Sequence, residues 1–172
     1  MTRGGDINGG RRPGAVAWPG EGMTGLDTGV TVTTVTARLT AVVAAETTWA
    51  EFPRRWKPML DEVYACLARN GRTKQGCNVM LYLDDVPHVE VGVEMITPSV
   101  LDGPVIGSSL PAGEVARTVH RGPYGQLGAA HDRVVRWCAD QGRLLAGPRW
   151  EIYGDWREDP TELETEVYYL LR

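Results

Sequence analysis

The stretch VARTVHRGPYGQL, residues 115–127, decides how the chain divides. Its first seven residues read as a strand, and Gly122-Pro123 then break the run beside Tyr124. A helical apolar spacing follows, so the stretch is a strand turning sharply into a helix that runs from about Tyr124 to Gln141. Val115 and Val119 should pack inward, Arg121 should meet solvent, and His120 and Tyr124 stand beside the corner. Downstream, RWEIYGDW (149–156) and ETEVYYLLR (164–172) read as two further strands, giving the order βαββ.

The same order occurs upstream. Apolar residues alternate from Thr31 to Val43 at Val35, Ala37, Leu39, Ala41 and Val43, as one strand with a single buried face. Phe52, Trp56, Met59, Leu60, Val63 and Leu67 then mark one helix face. Pro53 suits the first turn, Pro58 should kink or delay the helix, and Asn70-Gly71 should end it. GCNVMLYLDD (76–85) and HVEVGVEM (88–95) form a hairpin turning at Asp84–His88, and the Gly-, Pro- and Ser-rich segment Thr97–Ser109 reads as a loop. A shift of 71 residues lays Asp61 on Asp132, Val63 on Val134, Gly71 on Gly142, Gly76 on Gly147, Tyr82 on Tyr153 and Asp84 on Asp155. The expected fold class is therefore α+β: duplicated βαββ units, about 30–97 and 110–172, with pseudo-twofold symmetry around a central ligand groove. Two similar units without common origin would give the same pattern.

Residues 1–29 hold nine glycines and no amphipathic period, so they read as a flexible Gly/Pro-rich tail. Arg11-Arg12 lacks the long apolar segment of an export signal, and no apolar run approaches the roughly 20 residues needed to cross a bilayer. A net charge of −4 gives no general attraction for nucleic acid. Cys66, Cys77 and Cys138 have no paired spacing and read as reduced thiols, consistent with a cytoplasmic protein. His88, His120 and His131 form no metal-ligand motif, and neither metal nor cofactor is expected.

The chemistry-bearing residues gather on the last two strands. Glu166 and Tyr168 share one face of the final strand, opposite Val167, Tyr169 and Leu171, and Glu151 and Tyr153 repeat the spacing on the strand before it. Paired as a hairpin, these strands would set two carboxylates and two phenols together on the side away from the helices. A solvated face of cross-strand polar pairs is the alternative. Six Trp and six Tyr against one Phe supply rings that stack on ligands while keeping a polar edge, and Trp56, Trp137 and Trp150 are candidate liners or core residues.

The string VHRGPYGQL, followed by a helix, GPRWEIY and TEVYYLLR, resembles the GyrI-like small-molecule-binding family, related to the BmrR/Rob-type effector-binding domains of multidrug-responsive regulators. The resemblance spans about residues 30–172. It implies two βαββ units around a groove for aromatic, often cationic compounds. Residues carried over onto that groove are Glu151, Tyr153, Glu166 and Tyr168, with His120 and Tyr124 near one end and Tyr82, Trp56, Trp137 and Trp150 as further contacts. The regulators' DNA-binding helices have no counterpart before residue 30, so direct nucleic-acid binding is not expected.

Three functions follow from the resemblance. Stand-alone relatives hydrolyse the strained cyclopropane of DNA-alkylating natural products, giving self-resistance or detoxification. In that reading Glu166 is the base that activates water, its pKa raised by an aromatic groove, while Tyr153, Tyr168 or His120 stabilises the dienone oxygen. The second function is non-catalytic binding of lipophilic cations by a carboxylate among rings. Inhibition of DNA gyrase is the third, and nothing in the residues points to it.

Overall fold

The computed structural model describes residues 29–72, 75–97 and 100–172. The tail expected over residues 1–29, with Arg11-Arg12, lies outside the described residues apart from Gly29. Among the described residues, eight strands and two α-helices form a mixed α/β fold: β1 (Val30–Val35), β2 (Arg38–Glu46), α1 (Phe52–Arg69), β3 (Asn78–Tyr82), β4 (His88–Glu94), β5 (Val105–Leu110), β6 (Gly113–Arg121), α2 (Leu127–Asp140), β7 (Leu145–Tyr153) and β8 (Glu164–Leu171). The strands make one antiparallel sheet in the order β1-β6-β8-β7-β3-β4-β2-β5.

Two elements differ from the sequence reading. The single strand expected over Thr31–Val43 is two, because the chain leaves β6 after Val35 and crosses to pair with β4 and β5 from Arg38. Alternation continues unbroken through Thr36-Ala37, so periodicity does not register the change of partner. The loop expected over Thr97–Ser109 ends in β5, an edge strand that pairs, among the described residues, only with β2. Its Gly107, Ser108 and Ser109 mimic loop composition, and an edge strand needs only one row of ladder bonds to hold it. Each helix is therefore preceded by two strands and followed by two.

Pro53 occupies the first turn of α1, the helix runs on through Pro58, and Gly71 ends it with φ +64°. The corner at residues 121–127 forms as expected, with a short 3-10 turn at Tyr124–Gln126 leading into α2. Val115 is fully buried and Arg121 is exposed.

Register places both helices on one face of the sheet. Ala41, Val43, Val91, Met80, Glu151, Val167 and Thr118 follow one another across paired strands and so point the same way. Phe52 and Met59 of α1 pack there on Met80, Tyr82 and Val91, and Leu127, Ala130, Val134 and Cys138 of α2 pack on Ala116, Val167 and Tyr169. The opposite face has its own core of Val79, Leu81, Leu110, Val115, Trp150, Ile152 and Tyr168. Between the helices, β3 and β7 lie side by side with little helix above them, and a cavity opens there.

Candidate functional site

The cavity has a volume of about 490 Å³ and takes its walls from both halves of the chain. Phe52, Trp56 and Leu60 come from α1, and Met80 and Tyr82 from β3. Tyr124 and Leu127 come from the corner, and Glu151, Tyr153 and Trp156 from β7 and its exit. The corner's function is now visible, because the turn at Gly122-Pro123 delivers the Tyr124 ring edge-on to Tyr153 at 5.5 Å. Trp156 stands at the rim, three-quarters exposed.

Glu151 is only 4% exposed, and a carboxylate so deeply placed needs donors. It has three. Tyr153 donates its hydroxyl to Oε2 at 2.5 Å, Tyr82 donates to the same oxygen at 3.1 Å, and His131 Nε2 lies 2.7 Å from Oε1. Burial first, and then the Glu151 charge, push the phenols of Tyr82 and Tyr153 far above their ordinary pKa, so both remain donors through the physiological range. A carboxylate offers about four acceptor directions, so one is left for a ligand.

Glu166 and Tyr168 do not reach this site. Two residues directly opposite in an antiparallel pair share a face, and the ladder sets Glu151 opposite Val167 and Ile152 opposite Glu166. The expected side-by-side arrangement of Glu151, Tyr153, Glu166 and Tyr168 is therefore split across the sheet: the first two face the helices, the second two the other core. The reason is packing, for Trp150 and Ile152 fill the far core, where Trp150 stacks on Tyr168 at 5.3 Å, and this turns Glu151 and Tyr153 toward the helices. Glu166 takes a hydrogen bond from Tyr168 and faces Arg117 at 3.8 Å.

Of the other expected groove residues, Tyr82, Tyr124 and Trp56 line the cavity. Trp150 is in the far core, and Trp137 lies along α2 beside Arg133 and Arg136. His120 is buried on the helix side, its Nε2 3.0 Å from the Pro123 carbonyl, so it braces the corner instead of facing the cavity. The residue missed is His131. It falls among Leu127, Ala130, Val134 and Cys138, the buried stripe of α2, and a histidine inside such a stripe demands a buried partner. That signal was present in the sequence.

A family model for the GyrI-like small-molecule-binding domain matches residues 30–172, and the chain belongs to that family. No curated protein matches it. Among solved structures it is similar to the C-terminal domain of EcmrR, 20% identical, with 83% of this chain and 96% of that one covered and a TM-score of 0.68. It is similar also to SAV2435 bound to tetraphenylphosphonium, 12% identical with 83% and 93% covered and a TM-score of 0.60. A third is a hydrolase from Listeria innocua, 11% identical with 84% and 92% covered and a TM-score of 0.60. At these identities the three establish the likeness of fold. Among the described residues, no helix is long and apolar enough to cross a membrane.

Proposed function

We propose that the cavity binds an aromatic, lipophilic cation, with Glu151 as its counter-charge. The observation that carries this is a buried carboxylate at the base of a cavity walled by Phe52, Trp56, Tyr82, Tyr124, Tyr153 and Trp156. Ring faces attract a cation, and a desolvated carboxylate attracts it more strongly than one in water. Tetraphenylphosphonium, the ligand of SAV2435, is a molecule of this class. Calorimetric titration with tetraphenylphosphonium should give saturable binding, and Glu151→Gln should weaken it tenfold or more, whereas triphenylphosphine oxide, neutral and of similar shape, should change less than threefold. Equal losses for both ligands would show that Glu151 shapes the cavity without supplying charge.

The His131–Glu151 contact favours a second reading, hydrolysis of a cyclopropane-bearing aromatic toxin for self-resistance or detoxification. Here the base is Glu151 in place of Glu166. It takes a proton from water as the water oxygen bonds to a ring carbon. The cyclopropane carbon–carbon bond breaks, its electron pair moves through the dienone to the oxygen, and that oxygen takes up a proton as a phenol, with Tyr124 or Tyr153 as hydrogen-bond donor beforehand. A duocarmycin-type compound incubated with the protein would then gain the mass of one water, and Glu151→Gln would stop the conversion. Recovery of unchanged compound leaves binding alone.

The site sits where a duplication would put it. Under the 71-residue shift, the pair Asn78–Tyr153 becomes Arg149–Tyr82, which is also a pair in the β3–β7 ladder, and Met80–Glu151 maps onto itself. This register, and a strand order that reverses when the halves are exchanged, support two repeated units about a pseudo-twofold axis through the cavity. The same shift lays Glu151 on Met80 and His131 on Leu60, so the charged pair occurs in one half alone.

A further inference from the structure

His131 is placed to set the charge of the cavity. Its Nε2 is 2.7 Å from Glu151 Oε1 and its Nδ1 is 2.8 Å from the Tyr169 hydroxyl. Both contacts suit either protonation state. A neutral ring donates from Nε2 to Glu151 and accepts at Nδ1 from Tyr169; an imidazolium donates to both, because a hydroxyl can turn from donor to acceptor. Gain or loss of a proton therefore disturbs no packing in the wall.

The ring touches Glu151 on β7 and Tyr169 on β8, and the titratable and charged groups around those two partners are Tyr153 and Arg149 on β7, Tyr82 on β3 and Asp132 on α2. The three tyrosines stay neutral across the physiological range, burial being the leading cause in each, and Arg149 is permanently charged and paired with Asp85 at 2.9 Å. Asp132 lies on the exposed side of α2. Tyr169 also lines a separate basin of about 470 Å³, with Asp85, Arg149 and Arg172, that shares no lining residue with the cavity.

We propose that His131 is a specificity-determining residue: as an imidazolium it neutralises Glu151 and suits the cavity to uncharged aromatic ligands, and a lipophilic cation entering the cavity takes its place as counter-charge and expels its proton to solvent. This rests on the cavity binding a cation at Glu151. Two positive charges cannot share one buried carboxylate without strong mutual repulsion, so cation binding and His131 protonation compete.

The test is calorimetric titration of the whole chain with tetraphenylphosphonium, in buffers of differing ionisation enthalpy, across about pH 5–8. Expected is release of up to one proton per cation, with Kd falling by up to about tenfold per pH unit at the acid end and levelling at the alkaline end. Triphenylphosphine oxide should release none. His131→Gln should abolish the release and flatten the Kd profile, while His88→Gln, away from the cavity lining, should leave both as they are. Side-chain nitrogen NMR of the unaltered protein supplies a reading free of any variant: saturating cation should move the His131 ring toward its neutral form. Cation binding without proton release, or release that persists in His131→Gln, overturns the proposal and leaves the cavity's function standing. Failure of tetraphenylphosphonium to bind the unaltered protein overturns both.

Discussion

A residue's partners, more than its type, decide what it does in this protein. Glu151 and Glu166 are the same side chain two residues from a tyrosine-bearing position on adjacent strands, yet one is enclosed by three donors beside a cavity and the other is about a third exposed beside Arg117. Removing a donor from the enclosed one should therefore be felt. Tyr153→Phe takes away the 2.5 Å hydrogen bond, and a bond to a charged group is worth about 1.5–3 kcal/mol, with the lower end expected because Tyr82 and His131 remain. Glu166→Gln, with its partly exposed carboxylate, should change stability by less than about 0.5 kcal/mol. Urea midpoints of the two variants check the contrast, and a larger loss in Glu166→Gln would reverse the assignment of the buried carboxylate. Of the residues singled out in the sequence, Glu151, Tyr153, Tyr82, Tyr124 and Trp56 line the cavity, and alternation along the paired β3 and β7 puts Tyr82, Glu151 and Tyr153 on one face. His131 lies outside that strand pattern, and its partners Glu151 and Tyr169 come from strands distant in the chain.

Among the elements, the β3–β4 hairpin is tied by a carboxylate. Asp84 accepts from the backbone N–H of His88 at 2.9 Å and of Val86 at 3.0 Å, and its second oxygen meets His88 Nδ1 at 2.5 Å. These bonds, the His88 backbone N–H foremost, hold the Asp84 pKa below its ordinary value, and the Asp84 contact raises that of His88. The depressed carboxylate stabilises the turn above its unfolded pKa and fails as pH falls through the folded one. The raised histidine stabilises it fully below its unfolded pKa and fails as pH rises through the folded one. Protection of the Val86 and His88 amides from hydrogen exchange, corrected for intrinsic rates, should be greatest between about pH 4 and 6.5. His88→Gln should remove the alkaline decline; a profile unchanged by that substitution would exclude the histidine. Both helices were readable because each has one buried face with a clear period, and the hairpin because its two apolar runs flank a turn, although β3 is buried on both faces. Residues 105–110 were not, because an edge strand carrying Gly and Ser has the composition of a loop.

At the scale of the whole molecule, the two halves are laced together by three ladders: β1 with β6, β2 with β5, and β3 with β7. Among the described residues, the first strand of each half pairs only with a strand of the other. Neither half can keep its sheet edge if its counterpart unfolds, so thermal unfolding should be a single transition with matching calorimetric and van't Hoff enthalpies. Two resolved transitions would show that the lacing is weaker than the ladders indicate. The cavity straddles the central ladder, and a bound ligand should slow exchange in β3 and β7 alike.

By itself the sequence determined the elements with a clear apolar period, the repetition of their order, and the presence of carboxylates and phenols at alternate positions on the last strands. Those are local properties, set by the periods of strand and helix. Only the tertiary structure decided which face of the sheet each of those residues occupies and which other chain segment supplies its partner. Moving the β7–β8 register by one residue would exchange every side chain's face while leaving the alternation intact. The choice was made by the volume of Trp150 and Ile152 in one core and the donors around Glu151 in the other, contacts between residues far apart in the chain.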